Sequence, residues 1–323
     1  MRLRKVRSTV LVFLAVLSAA VLSAPAVASA SSLSVFGAGG DAGSALRNSL
    51  NMSGMSQNAL YSPRYVALGD SVAAGLGLPL VANASDEDTA CGRSSAAYPE
   101  VIGERVNALL SKADIELEVE NVACSGATTD HLTQSQPLGT VFAADPQLDT
   151  AFTDGTPTFL TMTMGANDAH WGQFVGACLS AANCDTPENT AAAQAYINTM
   201  KTTLVQALDE IKARSDFIPP LTVVTGYYNP VSASCASANL TSGEIAWIGQ
   251  ETTALNKALK EATQQRTTGW FTHFAPVDFT GHDICSADPW IQRPGAPNEP
   301  APFHPTARGQ QAIADAILAP IIR

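Results

Sequence analysis

Basic residues are scarce in this chain: lysine and arginine together number 18 of 323 residues, against 29 aspartates and glutamates. Four of those cations, Arg2, Arg4, Lys5 and Arg7, fall near the start; setting aside residues 1–30 leaves 14 against 29, a charge of about −15. So acidic a surface argues against a nucleic-acid partner and against electrostatic docking on anionic membranes, and it suits an exported protein kept soluble by its charge. Histidine is rare, with five in the chain, and the cysteines and histidines form no cluster at zinc-ligand spacing. Cys-x-x-Cys is absent as well. A metal centre or a redox dithiol is therefore disfavoured, and no cofactor is expected. Long apolar runs are limited to one, from about Thr9 to Leu22. No other stretch is long and apolar enough to cross a bilayer as a helix.

That one run carries an address. It follows the basic cluster and is succeeded by Pro25 and by Ala28-Ser29-Ala30, small residues at the cleavage positions of a secretory signal. The alternative is an uncleaved N-terminal anchor, which Pro25 and the Ala-x-Ala pattern oppose. Secretion gives the six cysteines a meaning. Cys91, Cys124, Cys178, Cys184, Cys235 and Cys285 form an even set in an exported protein, so three disulfides are expected; six cysteines allow fifteen pairings.

Residues 31–62 are rich in Ser, Gly, Ala and Asn without a sustained period, and read as a flexible segment. Residues 63–323 are long enough for one sizeable core and do not demand a second. In this part short apolar runs alternate with longer helical stretches. Tyr65–Leu68, Ile115–Val122, Phe159–Met164 and Leu221–Tyr227 predict strands, and His273 falls in or beside another. Helices are predicted over roughly 97–112, 190–214, 243–264 and 306–318; in the second, Ala193, Tyr196, Ile197, Met200, Leu204, Ala207, Leu208 and Ile211 recur at helical spacing. The alternation predicts an α/β fold with a mostly parallel sheet covered on both faces, and active sites in such sheets lie at the carboxyl ends of the strands.

Three strand ends carry candidate chemistry. The first runs Tyr65-Val66-Ala67-Leu68-Gly69-Asp70-Ser71, where a strand breaks into a turn bearing a serine. Serine is a poor nucleophile until an imidazole takes its proton. Such an imidazole stands near the other end of the chain, in Phe303-His304-Pro305-Thr306-Ala307-Arg308-Gly309-Gln310. The second strand end is Ala123-Cys124-Ser125-Gly126-Ala127, whose glycine lets a backbone N–H approach a ligand. The third, Met164-Gly165-Ala166-Asn167-Asp168, places an amide at the strand mouth, a neutral double donor suited to an oxyanion. Each has a plainer structural reading: Ser71 as a helix N-cap, Gly126 as a simple turn, Asn167 as the cap of a helix starting near Asp168.

Taken in this order, Ser71, Gly126, Asn167 and His304 make the chain resemble the SGNH, or GDSL, hydrolase superfamily, from about Arg64 to the C-terminus. Within it the chain is similar to secreted actinobacterial lipases, esterases and phospholipases. Ala97-Tyr98-Pro99, Phe279-Thr280-Gly281-His282-Asp283-Ile284-Cys285 and Pro289-Trp290 carry that likeness. The resemblance implies a three-layer α/β/α sandwich. It implies Ser71 as nucleophile, His304 as general base and acid, and an oxyanion hole from the Ser71 and Gly126 N–H groups and the Asn167 side chain. It also implies disulfides in sequence order, Cys91–Cys124, Cys178–Cys184 and Cys235–Cys285. One feature departs from the pattern. Many members carry an aspartate three residues before the histidine, where this chain has Ala301. As in some actinobacterial relatives, the Ala301 backbone carbonyl is then expected to orient His304, with Glu299, Asp283 and Asp288 as possible carboxylate substitutes. Asp70 reads as a turn residue pointing away from the nucleophile, His131 as a surface residue, His282 as structural, and His170 as either lining the cleft or structural.

The implied function is a secreted, monomeric serine ester hydrolase acting on lipid or small acyl esters by a Ser-His dyad, without metal or cofactor. The alternatives are a carbohydrate acetylesterase and, from a different class, a non-catalytic binding protein on a hydrolase scaffold, for which the missing carboxylate is the only argument.

Overall fold

The computed structural model describes residues 63–321 apart from 114, 141, 181–182, 217–218, 238–239 and 266–271. The signal-like segment and the 31–62 stretch lie outside the described residues.

The chain enters through β1 (Arg64–Gly69), all six of whose residues are buried. A strand buried on both faces belongs inside a covered parallel sheet rather than at its edge, and β1 lies between β2 and β5. Next come a one-turn helix α1 (Ser71–Ala74), a short α2 (Asp86–Cys91), the longer α3 (Tyr98–Leu110) and β2 (Glu118–Asn121). A small antiparallel hairpin of β3 (Gln136–Leu138) and β4 (Phe142–Ala144) follows, then α4 (Gln147–Ala151) and β5 (Phe159–Thr163). The second half holds α5 (Trp171–Ser180), α6 (Pro187–Arg214), β6 (Leu221–Thr225), α7 (Ser242–Gln265), β7 (Thr272–Ala275) and α8 (Ala307–Leu318).

Five strands form one parallel sheet in the order β2-β1-β5-β6-β7. The chain moves from β1 to one side and then returns to build outward on the other. With right-handed crossovers this reversal puts the two sets of helices on opposite faces and opens a crevice at the carboxyl ends of β1 and β5. On one face α3 packs against β1, β2 and α8; on the other α7 packs against β6, β7 and α6. The α/β class and the covered parallel sheet predicted from the sequence are those of the structure.

Helix boundaries follow local chemistry. In α3, Pro99 lies in the first turn and Tyr98, Ile102, Val106 and Leu110 form a buried stripe at four-residue spacing. In α6, the Thr186 side chain accepts the Asn189 N–H, a cap worth about 1 kcal/mol. Its predicted apolar stripe is buried except for Tyr196, which is 40% exposed and rests against the His170 ring.

Two strands fall short of their apolar runs by more than one residue. The β2 ladder starts at Glu118 rather than Ile115, because the Asn107 amide of α3 donates to the Leu117 carbonyl at 3.0 Å and accepts the Leu117 N–H at 2.7 Å. The β6 ladder stops at Thr225 rather than Tyr227, because Asn256 of α7 holds both backbone groups of Tyr227, each at 2.7 Å. In both places an asparagine side chain takes over the groups that the ladder would have used. Helix α5 begins at Trp171, three residues after the start near Asp168 that the sequence suggests, and Gly172 and Gly176 lower its helical propensity. No helix among the described residues is long and apolar enough to cross a membrane.

Candidate active site

Gly69 ends β1 at φ +151°, and a Cβ there would come within 2.5 Å of the Thr163 carbonyl on the neighbouring strand. Only glycine fits, and its backbone is gripped on both sides by one side chain: Gln147 Oε1 accepts the Gly69 N–H at 2.8 Å and Gln147 Nε2 donates to the Gly69 carbonyl at 2.9 Å. Asp70 then caps α1, its Oδ1 accepting the Val72 N–H at 2.9 Å. Asp70 is therefore the cap, and Ser71 is the first residue of the helix with its hydroxyl free to point into the crevice. Asp70 is buried, and that burial pushes its pKa up to about 7 against the lowering effect of the hydrogen bonds it accepts.

The histidine reaches this serine from 233 residues away: Ser71 Oγ lies 2.7 Å from His304 Nε2. The loop that delivers it is tightly fixed. Gln292, buried, donates from Nε2 to the Leu76 and Pro305 carbonyls at 3.0 and 3.3 Å and accepts the Ala301 N–H at 3.1 Å. Its backbone N–H donates to the His304 carbonyl at 2.7 Å, and its carbonyl accepts the Phe303 N–H at 2.8 Å. Beyond the histidine, Gln310 of α8 ties the Tyr98 N–H and the Val72 carbonyl together, each at 2.9 Å, so the C-terminal helix is bolted directly onto α1.

The orientation of the imidazole differs by one residue from expectation. The carbonyl that faces His304 Nδ1 is that of Pro302, at 3.0 Å, rather than that of Ala301. Ala301 to His304 form a reverse turn closed by the His304 N–H on the Ala301 carbonyl at 3.2 Å, with Pro302 at the first corner and Phe303, at φ +70°, at the second. These are the marks of a type II turn. Its closing bond takes the Ala301 carbonyl, and the central peptide presents the Pro302 carbonyl to the ring. Both carbonyls favour the imidazolium, Pro302 more than Ala301, but burial outweighs them and holds the His304 pKa below its ordinary 6.5. The left-handed Phe303 costs roughly 1–2 kcal/mol, offset by the Gln292 bonds and by the Tyr228 hydroxyl, which donates to the Phe303 carbonyl at 2.6 Å.

The three carboxylates weighed as substitutes for the missing aspartate are engaged elsewhere. Asp283 is buried and accepts the Ser232 hydroxyl and the Cys285 N–H at 2.7 and 2.8 Å. Asp288 pairs with Arg308 at 2.7 Å and Glu299 with Arg293 at 2.8 Å.

Two further turns adjoin the pair. After β2 the chain is pinned by the Cys124 N–H on the Gly69 carbonyl at 3.0 Å, and Gly126 follows at φ +81°, exposed. A Cβ on Gly126 would meet nothing closer than Gln136 Nε2 at 3.7 Å, so glycine is needed there for its backbone conformation rather than for room. After β5, Asn167 donates one amide hydrogen to the Ala127 carbonyl at 2.8 Å, which joins its turn to that of Gly126 and leaves the other hydrogen for a ligand. Asp168 reinforces the join, accepting the N–H of Thr129 at 3.1 Å and its hydroxyl. The helix after this turn begins at Trp171, so Asn167 is not its cap. Among the described residues, the backbone N–H groups of Ser71 and Gly126 donate to no protein acceptor.

The remaining histidines have local partners. His131 Nδ1 accepts the Thr128 N–H at 2.9 Å, His170 lies against Tyr196, and His282 stacks on Trp290 with ring centroids 3.7 Å apart. His273 lies in β7. The cysteines are joined as Cys91–Cys124, Cys178–Cys184 and Cys235–Cys285. The first, spanning 33 residues, ties the end of α2 to the Gly126 turn and contributes about 3–4 kcal/mol on chain-entropy grounds. Missing from the sequence reading were Gln147, Gln292, Gln310 and Tyr227. Two of them carried a signal: Gln310 stands in the run that follows His304, and Tyr227 at the end of a predicted strand.

The model of the GDSL-like Lipase/Acylhydrolase family matches residues 67–312. Lipase 1 of Streptomyces coelicolor is 30% identical over 255 residues, covering 76% of this chain and 82% of that one. The lipase of Streptomyces rimosus is 30% identical over 254 residues with the same coverage. Among solved structures, the extracellular lipase of Streptomyces rimosus superposes with a TM-score of 0.63 at 26% identity, covering 80% of this chain and 99% of the other. Phospholipase A1 of Streptomyces albidoflavus shares the fold, with a TM-score of 0.59 at 24% identity over 80% of this chain and 99% of that one. With a match over most of its length and lipase relatives at this identity, the chain belongs to the GDSL-like lipase/acylhydrolase family.

Proposed function

We propose that the chain is a secreted, monomeric serine hydrolase that cleaves carboxylic esters of lipids. The observation that carries this reading is the 2.7 Å approach of Ser71 Oγ to His304 Nε2 at the carboxyl end of β1. Nδ1–H donates to the Pro302 carbonyl, so Nε2 is the lone-pair nitrogen that accepts the Ser71 proton as Oγ attacks the ester carbonyl. Negative charge then develops on the carbonyl oxygen, and the Ser71 N–H, the Gly126 N–H and the second amide hydrogen of Asn167 meet it. Fixed donors of this kind stabilise the tetrahedral intermediate without reorganising. His304 returns the proton to the departing alcohol, leaving an acyl-Ser71 ester, and then activates water to release the acid. The dyad works without a carboxylate because the carbonyl fixes the tautomer, although a neutral carbonyl stabilises the imidazolium less than a carboxylate would. Kinship with two Streptomyces lipases supports lipid esters as substrates, and the three disulfides suit an oxidising, extracellular location.

The substrate class is tested by hydrolysis of p-nitrophenyl esters of graded chain length beside a phospholipid and an acetylated xylan. Long-acyl esters or the phospholipid are expected to give the highest kcat/KM. Preference for the acetylated sugar would replace the lipid reading with a carbohydrate acetylesterase.

Two expected outcomes test the chemistry. Asn167→Ala should lower kcat by about 10²–10³ with little change in KM, the usual effect of losing one oxyanion donor; an unchanged kcat would remove Asn167 from the mechanism. The acid limb of kcat/KM should have its midpoint below pH 6.5. The base must be neutral, and burial disfavours its protonated form, so activity persists to a lower pH than an exposed histidine would allow. A midpoint above 6.5 would indicate a carboxylate partner stabilising the imidazolium.

A further inference from the structure

Tyr227 takes no part in the chemistry just described, yet its hydroxyl touches two of the turns that the chemistry needs. It donates to Asp70 Oδ2 at 2.5 Å and accepts the Ala166 N–H at 3.2 Å. Asp70 immediately precedes Ser71, and Ala166 immediately precedes Asn167. The Asp70 carboxylate therefore reaches both ways: Oδ1 holds the residue after the nucleophile, Val72, while Oδ2 meets the tyrosine. One phenol oxygen thus bridges the turn that aims the nucleophile and the turn that carries an oxyanion donor.

The bridge is stiff. Tyr227 is 3% exposed, and Asn256 of α7 binds both its N–H and its carbonyl at 2.7 Å. Burial, followed by the neighbouring Asp70 carboxylate, raises the phenol well above its ordinary pKa of 10, so the hydroxyl stays protonated and able to donate. A buried tyrosine that only filled space would satisfy its hydroxyl with any single acceptor, as Tyr65 does with Thr161 at 2.8 Å at the opposite end of β1. Phenylalanine would fill the same volume at position 227 and leave both the Asp70 oxygen and the Ala166 N–H without this partner. The Ser71 turn would then be tied to β5 only ahead of the Asn167 turn, by the Asp70 N–H on the Thr163 carbonyl at 2.9 Å, while Asn167 and Asp168 would still join their own turn to that of Gly126.

We propose that Tyr227 is a positioning residue for ester hydrolysis, its hydroxyl setting the spacing between the Ser71 turn and the Asn167 turn and hence the fit of the oxyanion site to the transition state. This rests on the reading of Ser71, His304 and Asn167 given above. A misplacement of the order of 1 Å at such a site costs up to about a hundredfold in rate, and the loss falls on kcat because the ground-state carbonyl draws little on these donors.

The experiment compares Tyr227→Phe with Tyr65→Phe, a buried tyrosine remote from the site, and crosses Tyr227→Phe with Asn167→Ala. Tyr227→Phe is expected to lower kcat about ten- to a hundredfold, with KM within about twofold. Tyr65→Phe is expected to lower Tm while leaving kcat per folded molecule unchanged, a behaviour that a merely structural tyrosine would share. In the double variant the combined loss should fall at least about threefold short of the product of the single losses, since part of the Tyr227 effect passes through Asn167. Wild-type kcat in folded Tyr227→Phe, or losses that multiply fully in the double variant, would overturn the inference. If Tyr227→Phe does not fold, Asp70→Asn is measured by the same kcat and KM criteria; it keeps an acceptor for the Val72 N–H and replaces the oxygen that accepts the Tyr227 hydroxyl with an amide nitrogen. A wild-type protein that cleaves no ester fails the proposed function itself, whereas an active wild type with an equally active Tyr227→Phe fails this inference alone.

Discussion

Ser71→Ala is expected to lower kcat by about 10⁴–10⁶ while leaving the fold intact, since removal of the nucleophile in a serine hydrolase costs on that order. The structure gives a reason for each half of this result. The Ser71 backbone carbonyl accepts the Gly75 and Leu76 N–H groups at 3.1 and 3.0 Å, so its structural work is done by the main chain and survives the substitution. The capping role belongs to Asp70. The side-chain hydroxyl is left with His304 as its partner, and its loss should change stability by no more than about 0.5 kcal/mol, as at an ordinary half-buried surface position. Thermal unfolding and steady-state kinetics on the same preparation check both halves. Residual turnover above the uncatalysed rate is expected from the oxyanion donors alone; turnover within tenfold of wild type would mean that another residue attacks the ester.

His304→Ala should produce a loss of similar size, and its combination with Ser71→Ala should lose almost nothing more. Nucleophile and base act as one unit, so once the proton acceptor is gone the hydroxyl has little left to contribute. Losses that multiply would assign His304 a role independent of Ser71. The substitution also removes the ring that fills the space between Ser71 and the Pro302 carbonyl. Added imidazole is therefore expected to restore part of the rate to His304→Ala and none to Ser71→Ala.

The parts of this molecule that were legible in the sequence are those written in local pattern. The strand Tyr65–Leu68, the turn after it, the helix over roughly 97–112 and the long apolar face of α6 each follow from nearest-neighbour chemistry. The order of the motifs along the chain was enough to place Ser71, Gly126, Asn167 and His304 among the candidates. What escaped has a common cause. Gln147, Gln292 and Gln310 are ordinary polar residues in composition, and each matters because folding buries it against backbone groups of another segment, 78 residues away for Gln147 and Gly69 and 238 for Gln310 and Val72. No periodicity marks such a residue. The shift from Ala301 to Pro302 has the same character, since it depends on a left-handed Phe303 that no propensity would assign to phenylalanine. Strand ends were misjudged for a related reason: Asn107 and Asn256 intercept backbone groups that the apolar runs alone would have given to the sheet.

The division has a functional consequence. Side chains that do chemistry sit on turns at strand ends and announce themselves by type, whereas side chains that hold them in place are distributed over the fold and announce nothing. In this chain the second set includes three glutamines, a tyrosine and two carboxylates. Together they hold Ser71 against His304, whose other ring nitrogen faces a backbone carbonyl rather than a carboxylate.

The central claim is that Ser71 is a nucleophile activated by His304. It is tested most directly by treating the folded protein with a fluorophosphonate and locating the adduct by peptide mass spectrometry. The account predicts one phosphonate per chain on Ser71 in the wild type and none on the same peptide in His304→Ala. Folded wild-type protein that stays unlabelled, or a label on any other residue, would contradict it.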